Sequence, residues 1–243
     1  MMRKIKTKGI IIAENNMGDF DKMLTMLTPG LGKINCAAKG ARRTRSFLLG
    51  STQFLCFGDY LLYGGNGSYN INSCETIEMF YNIRTDLDKL RYAVHITKII
   101  NDITTENQNS YKILQLFLNT LYVITYRDMD LNFLLSIFKM KLLSIIGYRP
   151  IIDKCANCKK TDELHYFSIF YNGFVCLLCS DLDKSKIKIN DNVKTAIKYI
   201  IESDSRKIYS FDIPNEDKKT LEIISTLFFN QKLEKEYKLE DLF

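Results

Sequence analysis

The chain has 243 residues, 46% hydrophobic and 12% aromatic, with 34 Lys and Arg against 28 Asp and Glu for a formal net charge of +6. That is enough apolar material for a substantial core, in one medium domain plus a smaller one, and it excludes general disorder. It also argues against a membrane-spanning helix: the best apolar stretch, residues 133–146, is broken by Lys139 and Lys141 and falls short of the roughly 20 residues a bilayer demands.

The charge is unevenly placed. Residues 1–50 carry ten Lys and Arg against three acids, whereas the rest nearly balances at 24 bases and 25 acids. A polyanionic partner is therefore expected at the N-terminal portion. The first seventy-odd residues read as β-structure. Lys4, Lys6 and Lys8 alternate with Ile5, Thr7 and Gly9, which places a row of ammonium groups on one strand face. Ile10, Ile11, Ile12 and Ala13 form too short an apolar run for a secretory signal. A second strand is predicted over 21–28, and Pro29-Gly30-Leu31-Gly32 turns into a third over 33–38. Residues 39–46 read as a loop holding Lys39, Arg42, Arg43 and Arg45. A strand over 53–63 turns at Gly64-Gly65-Asn66-Gly67 into a fifth over 69–73. Five short strands with glycine turns predict an OB-type barrel, with an SH3-like barrel as the alternative.

After Cys74 the apolar period lengthens to that of a helix. Helices are predicted over 86–103, 111–126, 130–146, 191–202 and 215–229, with Gly147 and Pro150 stopping the third and Pro214 opening the last. The expected class is α+β: a five-stranded OB-fold domain over 1–77, then an all-helical domain over 78–243 with a four-cysteine zinc knuckle inserted at about 152–182. Two CxxC pairs, Cys155/Cys158 and Cys176/Cys179, are separated by the spacing at which four thiolates close around Zn²⁺. The segment between them has strand-like alternation at Leu164, Tyr166, Ser168 and Phe170 and a turn signal at Asn172-Gly173. His165 is an alternative ligand. A fully thiolate-ligated metal has no open position for water, so the predicted zinc, one per chain, is structural. Reduced cysteines point to the cytoplasm, and Cys36, Cys56 and Cys74 are expected to pack as small hydrophobes.

The residues expected to hold nucleic acid are Lys4, Lys6, Lys8, Lys39, Arg42, Arg43 and Arg45, because cations along an OB barrel follow a sugar–phosphate chain without reading sequence. Phe47, Tyr63 and Tyr69 are candidates for base stacking. No Walker A loop, HExxH or nucleophile elbow is present. Asp86/Asp88 and Asp128/Asp130 read as helix caps and surface charge rather than paired catalytic carboxylates. A non-catalytic binder is expected, with an RNA- or ribosome-associated OB protein as the alternative to a DNA-binding one.

Taken in order, Thr7-Lys8-Gly9-Ile10-Ile11, Gly18-Asp19-Phe20-Asp21-Lys22, Leu27-Thr28, Gly32-Lys33-Ile34, Ala38-Lys39-Gly40-Ala41-Arg42-Arg43, Gly147-Tyr148-Arg149-Pro150, Phe167-Ser168, Gly173 and the four cysteines resemble the bacterial DNA repair and recombination mediator family RecO across nearly the whole chain. The resemblance implies an OB fold followed by a helical domain with a zinc knuckle. It also implies binding of single- and double-stranded DNA, annealing of complementary strands, and, with the partner RecR, loading of RecA on strands coated by single-strand-binding protein (SSB). The SSB C-terminal tail, a functional link to RecF and a cytoplasmic, nucleoid-associated location belong to the same expectation, with no membrane partner. The chain departs from the family pattern at Gln53, at Phe47, and around Gly65-Asn66-Gly67, where a cation is usual.

Overall fold

The computed structural model describes residues 3–65 and 68–239. Five strands, β1 (Arg3–Met17), β2 (Asp21–Thr28), β3 (Gly32–Ala38), β4 (Phe57–Gly65) and β5 (Ser68–Glu78), close into a barrel in the order β1-β2-β3-β5-β4. Every pairing is antiparallel except β3 with β5. This is the OB arrangement expected from the glycine-punctuated strands. The tip of the predicted turn at Asn66-Gly67 lies outside the described residues.

The first strand runs for 15 residues because it serves two partners. Residues Arg3 to Ile10 pair with β4, and Ile10 to Met17 pair with β2, with a register shift between Ile11 and Ala13. A bulge there bends the strand around the barrel and lets Ile10, Ile11 and Ile12 all be buried, which strict alternation forbids. Inside, Leu24, Met26, Ile34, Cys36, Leu62, Tyr69 and Ile71 form the core with Ala41 and Leu48 of the β3–β4 connector.

That connector, residues 39–56, is a succession of tight turns rather than an open loop. Ala41, Arg43, Ser46 and Leu49 each donate their N–H to a carbonyl three residues back, and Thr52 donates to Leu48. Arg84 bonds the Gln53 side chain and the Phe54 carbonyl. Gln53 thus supplies Arg84 with a side-chain acceptor oxygen.

The chain divides into two compact units at 125/126. The first therefore holds α1 (Leu87–Ile103) and most of α2 (Tyr111–Tyr126) as well as the barrel. The β2–β3 turn explains this: Lys33 N–H donates to the Thr105 carbonyl, Asn107 N–H to Leu31 and Ser110 N–H to Pro29. Asp86 caps α1 by accepting from the Lys89 N–H.

The second unit holds α3 (Leu131–Ile145), a small sheet of β6 (Leu164–Ser168), β7 (Gly173–Cys176) and β8 (Ile187–Lys188), the single turn α4 (Leu177–Ser180), α5 (Asp191–Glu202) and α6 (Asn215–Leu233). Asp130 and Asn190 cap α3 and α5 through the Phe133 and Val193 N–H groups. The β6–β7 hairpin expected from the sequence is present, and its turn ends at left-handed Asn172, φ 59°, before Gly173. The β6 strand stops at Ser168 rather than running to Phe170, because the Ser168 hydroxyl accepts the Tyr171 N–H. No helix among the described residues is long and apolar enough to cross a membrane.

Candidate nucleic-acid interface and metal centre

The two groups of predicted cations sit on different parts of the barrel. Lys4, Lys6 and Lys8 project outward from the half of β1 that pairs with β4, and all three are exposed. Lys8 lies 3.8 Å from the Asp59 carboxylate, and Glu75 stands beside Asp59 on β5. Lys4 and Lys6 line an open groove with Leu61 and Ser73, closed at one end by those two acids. Among the described residues Lys4 and Lys6 have no ion-pair partner. The negative end of the groove weakens Lys8 as a phosphate ligand.

Lys39, Arg42, Arg43 and Arg45 lie on the connector, which is stitched to the turn between β1 and β2. Arg42 donates its backbone N–H to the Phe20 carbonyl and its guanidinium to the Gly18 carbonyl at 3.1 Å. The Asp21 carboxylate accepts from the Gly40 N–H at 2.7 Å. Arg43 lies over the Phe20 ring at 5.2 Å. Lys39 and Arg45 are exposed and make no ion pair among the described residues. Of the acids flanking the connector in sequence, Asp21 is engaged by the Gly40 N–H, Glu14 by Lys22 at 2.6 Å and Asp59 by Lys8 at 3.8 Å.

The sheet register relates the two groups. Lys4, Tyr63, Asn70, Ala37, Met23 and Asn15 stand in one row around the outer surface. Three strand steps, about 14 Å, thus separate Lys4 from Ala37, two residues before Lys39. The lysine strand and the basic loop are not immediate neighbours. Of the aromatic candidates, Tyr69 points into the core at 6% exposure, Tyr63 faces outward half-buried, and Phe47 is 75% exposed. Reading the sequence missed Phe20, 50% exposed at the turn that the arginines hold.

In the second unit the sulfur atoms of Cys155, Cys158, Cys176 and Cys179 all lie within 4.8 Å of one another. The Cys158–Cys176 separation of 3.7 Å matches the edge, about 3.8 Å, of a tetrahedron with 2.3 Å metal–sulfur bonds. The first knuckle closes through Lys159 N–H to the Cys155 carbonyl, with Lys159 in the left-handed conformation at φ 69°, and through Cys155 N–H to Lys160. The second ligand pair arrives on the end of β7 and the turn of α4.

The electrostatics fit a cation. Burial alone would raise the Cys155 thiol, yet the backbone N–H groups of Cys176, Cys158 and Asn157 draw it down to about 6. Burial, together with the neighbouring sulfurs of Cys158 and Cys176, pushes Cys179 up to about 12. Four sulfurs this close become thiolates together only around a metal ion. His165 is exposed and outside this cluster. The four cysteines predicted as ligands are thus brought together; the set could hold a metal ion.

The chain matches two family models, described as "Recombination protein O N terminal" over residues 2–80 and "Recombination protein O C terminal" over residues 84–240. Among curated relatives it is 39% identical to the DNA repair protein RecO of Acetivibrio thermocellus, across 97% of this chain and 94% of the relative. It is 32% identical to the proteins of the same name from Thermoanaerobacter sp., over 99% and 97% of the two chains, and from Alkaliphilus metalliredigens, over 86% and 85%. The chain belongs to the recombination protein O (RecO) family.

Proposed function

We propose that this RecO-family chain is a non-catalytic DNA repair and recombination mediator that grips the sugar–phosphate backbone through its OB barrel and brings complementary strands together. The observation that carries the reading is the basic connector held against the β1–β2 turn, with Lys39 and Arg45 making no ion pair among the described residues and Arg42 fixed by Gly18 and Phe20. In OB folds this turn and the adjoining β2–β3 face are where oligonucleotides bind. Lys4 and Lys6 extend the track, and Lys8 contributes less because of Asp59.

Annealing requires that repulsion between two phosphate backbones be offset while the pairing edges of the bases stay free. Cations that contact phosphate accomplish this without nucleotide hydrolysis. Functionally, residues 1–77 hold DNA, and residues 78–243 form the helical scaffold, pinned by one structural Zn²⁺ on Cys155, Cys158, Cys176 and Cys179. When bound, the ion supplies cross-linking of the two knuckles. Family membership supports RecR, the SSB C-terminal tail, RecA and RecF as the partners, and the cytoplasm as the place of action.

The test is annealing of two labelled complementary strands, naked and coated with SSB, with and without the protein. The reading expects faster annealing of both and a loss of the effect on replacing Arg42, Arg43 and Arg45 with Ala. Absence of any acceleration by the intact protein would contradict it.

A further inference from the structure

Five of the large hydrophobic side chains left exposed on the first unit, Met17, Phe20, Met23, Phe47 and Leu49, belong to the end of β1, the turn after it, the start of β2 and the basic connector. Exposed apolar residues scattered singly call for no explanation, but a group of them at one end of a barrel does. These lie among the same backbone links that hold Arg42 and Arg43. Phe20 passes its carbonyl to Arg42 and its ring to Arg43, while the Ser46 N–H donates to the Arg43 carbonyl one residue before Phe47. Phe47, at 75% exposure, makes no ring contact among the described residues.

We infer that Phe47 and the Phe20–Arg43 pair form a stacking platform for unpaired bases, so that the site the proposed function assigns to DNA backbone also recognises the open faces of single-stranded bases. The inference rests on that proposed function. Charge decides the occupant: an apolar protein segment would bring no counter-charge for Lys39, Arg42 and Arg45, whereas a nucleic-acid strand brings a phosphate with every base. In a duplex the base faces are covered by their neighbours and only phosphates are offered. In a single strand each base has an open π-face, and an aromatic ring or a guanidinium plane gains by covering it. A preference for single strands at equal charge follows, with little dependence on which base is present.

The experiment compares an oligothymidine strand with an abasic strand of the same length and phosphate count, by fluorescence anisotropy at fixed salt. The intact protein is expected to bind the normal strand about ten-fold or more tightly than the abasic one. Phe47→Ala should remove most of that difference while leaving abasic binding within about two-fold; Phe47→Trp should restore it. Equal affinity of the intact protein for the two strands overturns the inference, as does an equal fall for both strands in the Phe47→Ala variant at unchanged melting temperature. The proposed function fails by a different sign: Arg42→Ala with Arg45→Ala would leave both affinities unmoved.

Discussion

Lys139 sits on α3 among apolar side chains, with its ammonium donating to the Thr226 hydroxyl at 3.1 Å. Burial pushes its pKa down to about 8, against the pull of Glu222 in the other direction. The unfolded chain keeps its proton up to about 10.5, so between these values the unfolded state binds more protons and stability rises with pH. Lys139→Met should therefore stabilise the protein at pH 7, on the order of 1–3 kcal/mol, with the gain shrinking by pH 10. Urea melts of both proteins at the two pH values check this; a variant less stable at pH 7 would mean that the Thr226 bond outweighs the burial cost. Asp183, close to the knuckle, is instead a group whose charged form folding favours. Desolvation works to raise it, but the Ser168 and Ser185 hydroxyls and the Ser185 N–H hold its carboxyl below the usual range. Its contribution is present at neutral pH and lost as pH falls through the carboxylate range, so Asp183→Asn should flatten the acid limb of the stability curve. Neither residue was legible as a site in the sequence: Lys139 showed only as an interruption of an apolar run.

At the level of elements, what could be read in advance was set by local chemistry. Asp86 and Asp130 sit at the starts of their helices as capping side chains must, and the CxxC spacing brought four sulfurs within reach of one another. Missed were features decided by long-range contact. The β1 bulge, the winding of the basic connector and the docking of the β2–β3 turn on residues 104–110 depend on partners far along the chain. Gly32 illustrates this last point. Its φ of +70° and a Cβ position only 2.1 Å from the Thr105 carbonyl oxygen leave no room for a side chain, whereas Gly18, at φ +56°, faces open space. Gly18→Ala should cost roughly 1–2 kcal/mol from backbone strain alone, and Gly32→Ala measurably more, because the turn must lift off Thr105. Thermal melts of the pair resolve the difference. For the knuckle, Cys155→Ser should lower metal content and soluble yield together, since closure of such a site contributes on the order of 10 kcal/mol at neutral pH. A soluble, fully stable Cys155→Ser protein lacking only DNA affinity would contradict a structural role for the metal.

For the whole molecule, two boundaries carry different meanings. The family models divide the chain between residues 80 and 84, whereas packing divides it at 125/126, because α1 and most of α2 belong with the barrel. Composition hinted at neither, since the charge asymmetry ends near residue 50, within the barrel. The same asymmetry does survive folding: most of the front-end cations reach the surface, and among the described residues those paired with acids are Lys8 and Lys22. The barrel end that carries Arg42, Arg43 and Arg45 is accordingly the place where a phosphate chain is expected to lie. The most direct test is the salt dependence of affinity for a single strand of unrelated sequence, measured for the intact protein and for the Arg42→Ala, Arg43→Ala, Arg45→Ala triple variant. With about six phosphates engaged, the logarithm of affinity should fall against the logarithm of salt with a slope near −4, and the variant should flatten it by about 2. An unchanged slope and affinity in a folded triple variant would place the DNA elsewhere on the molecule.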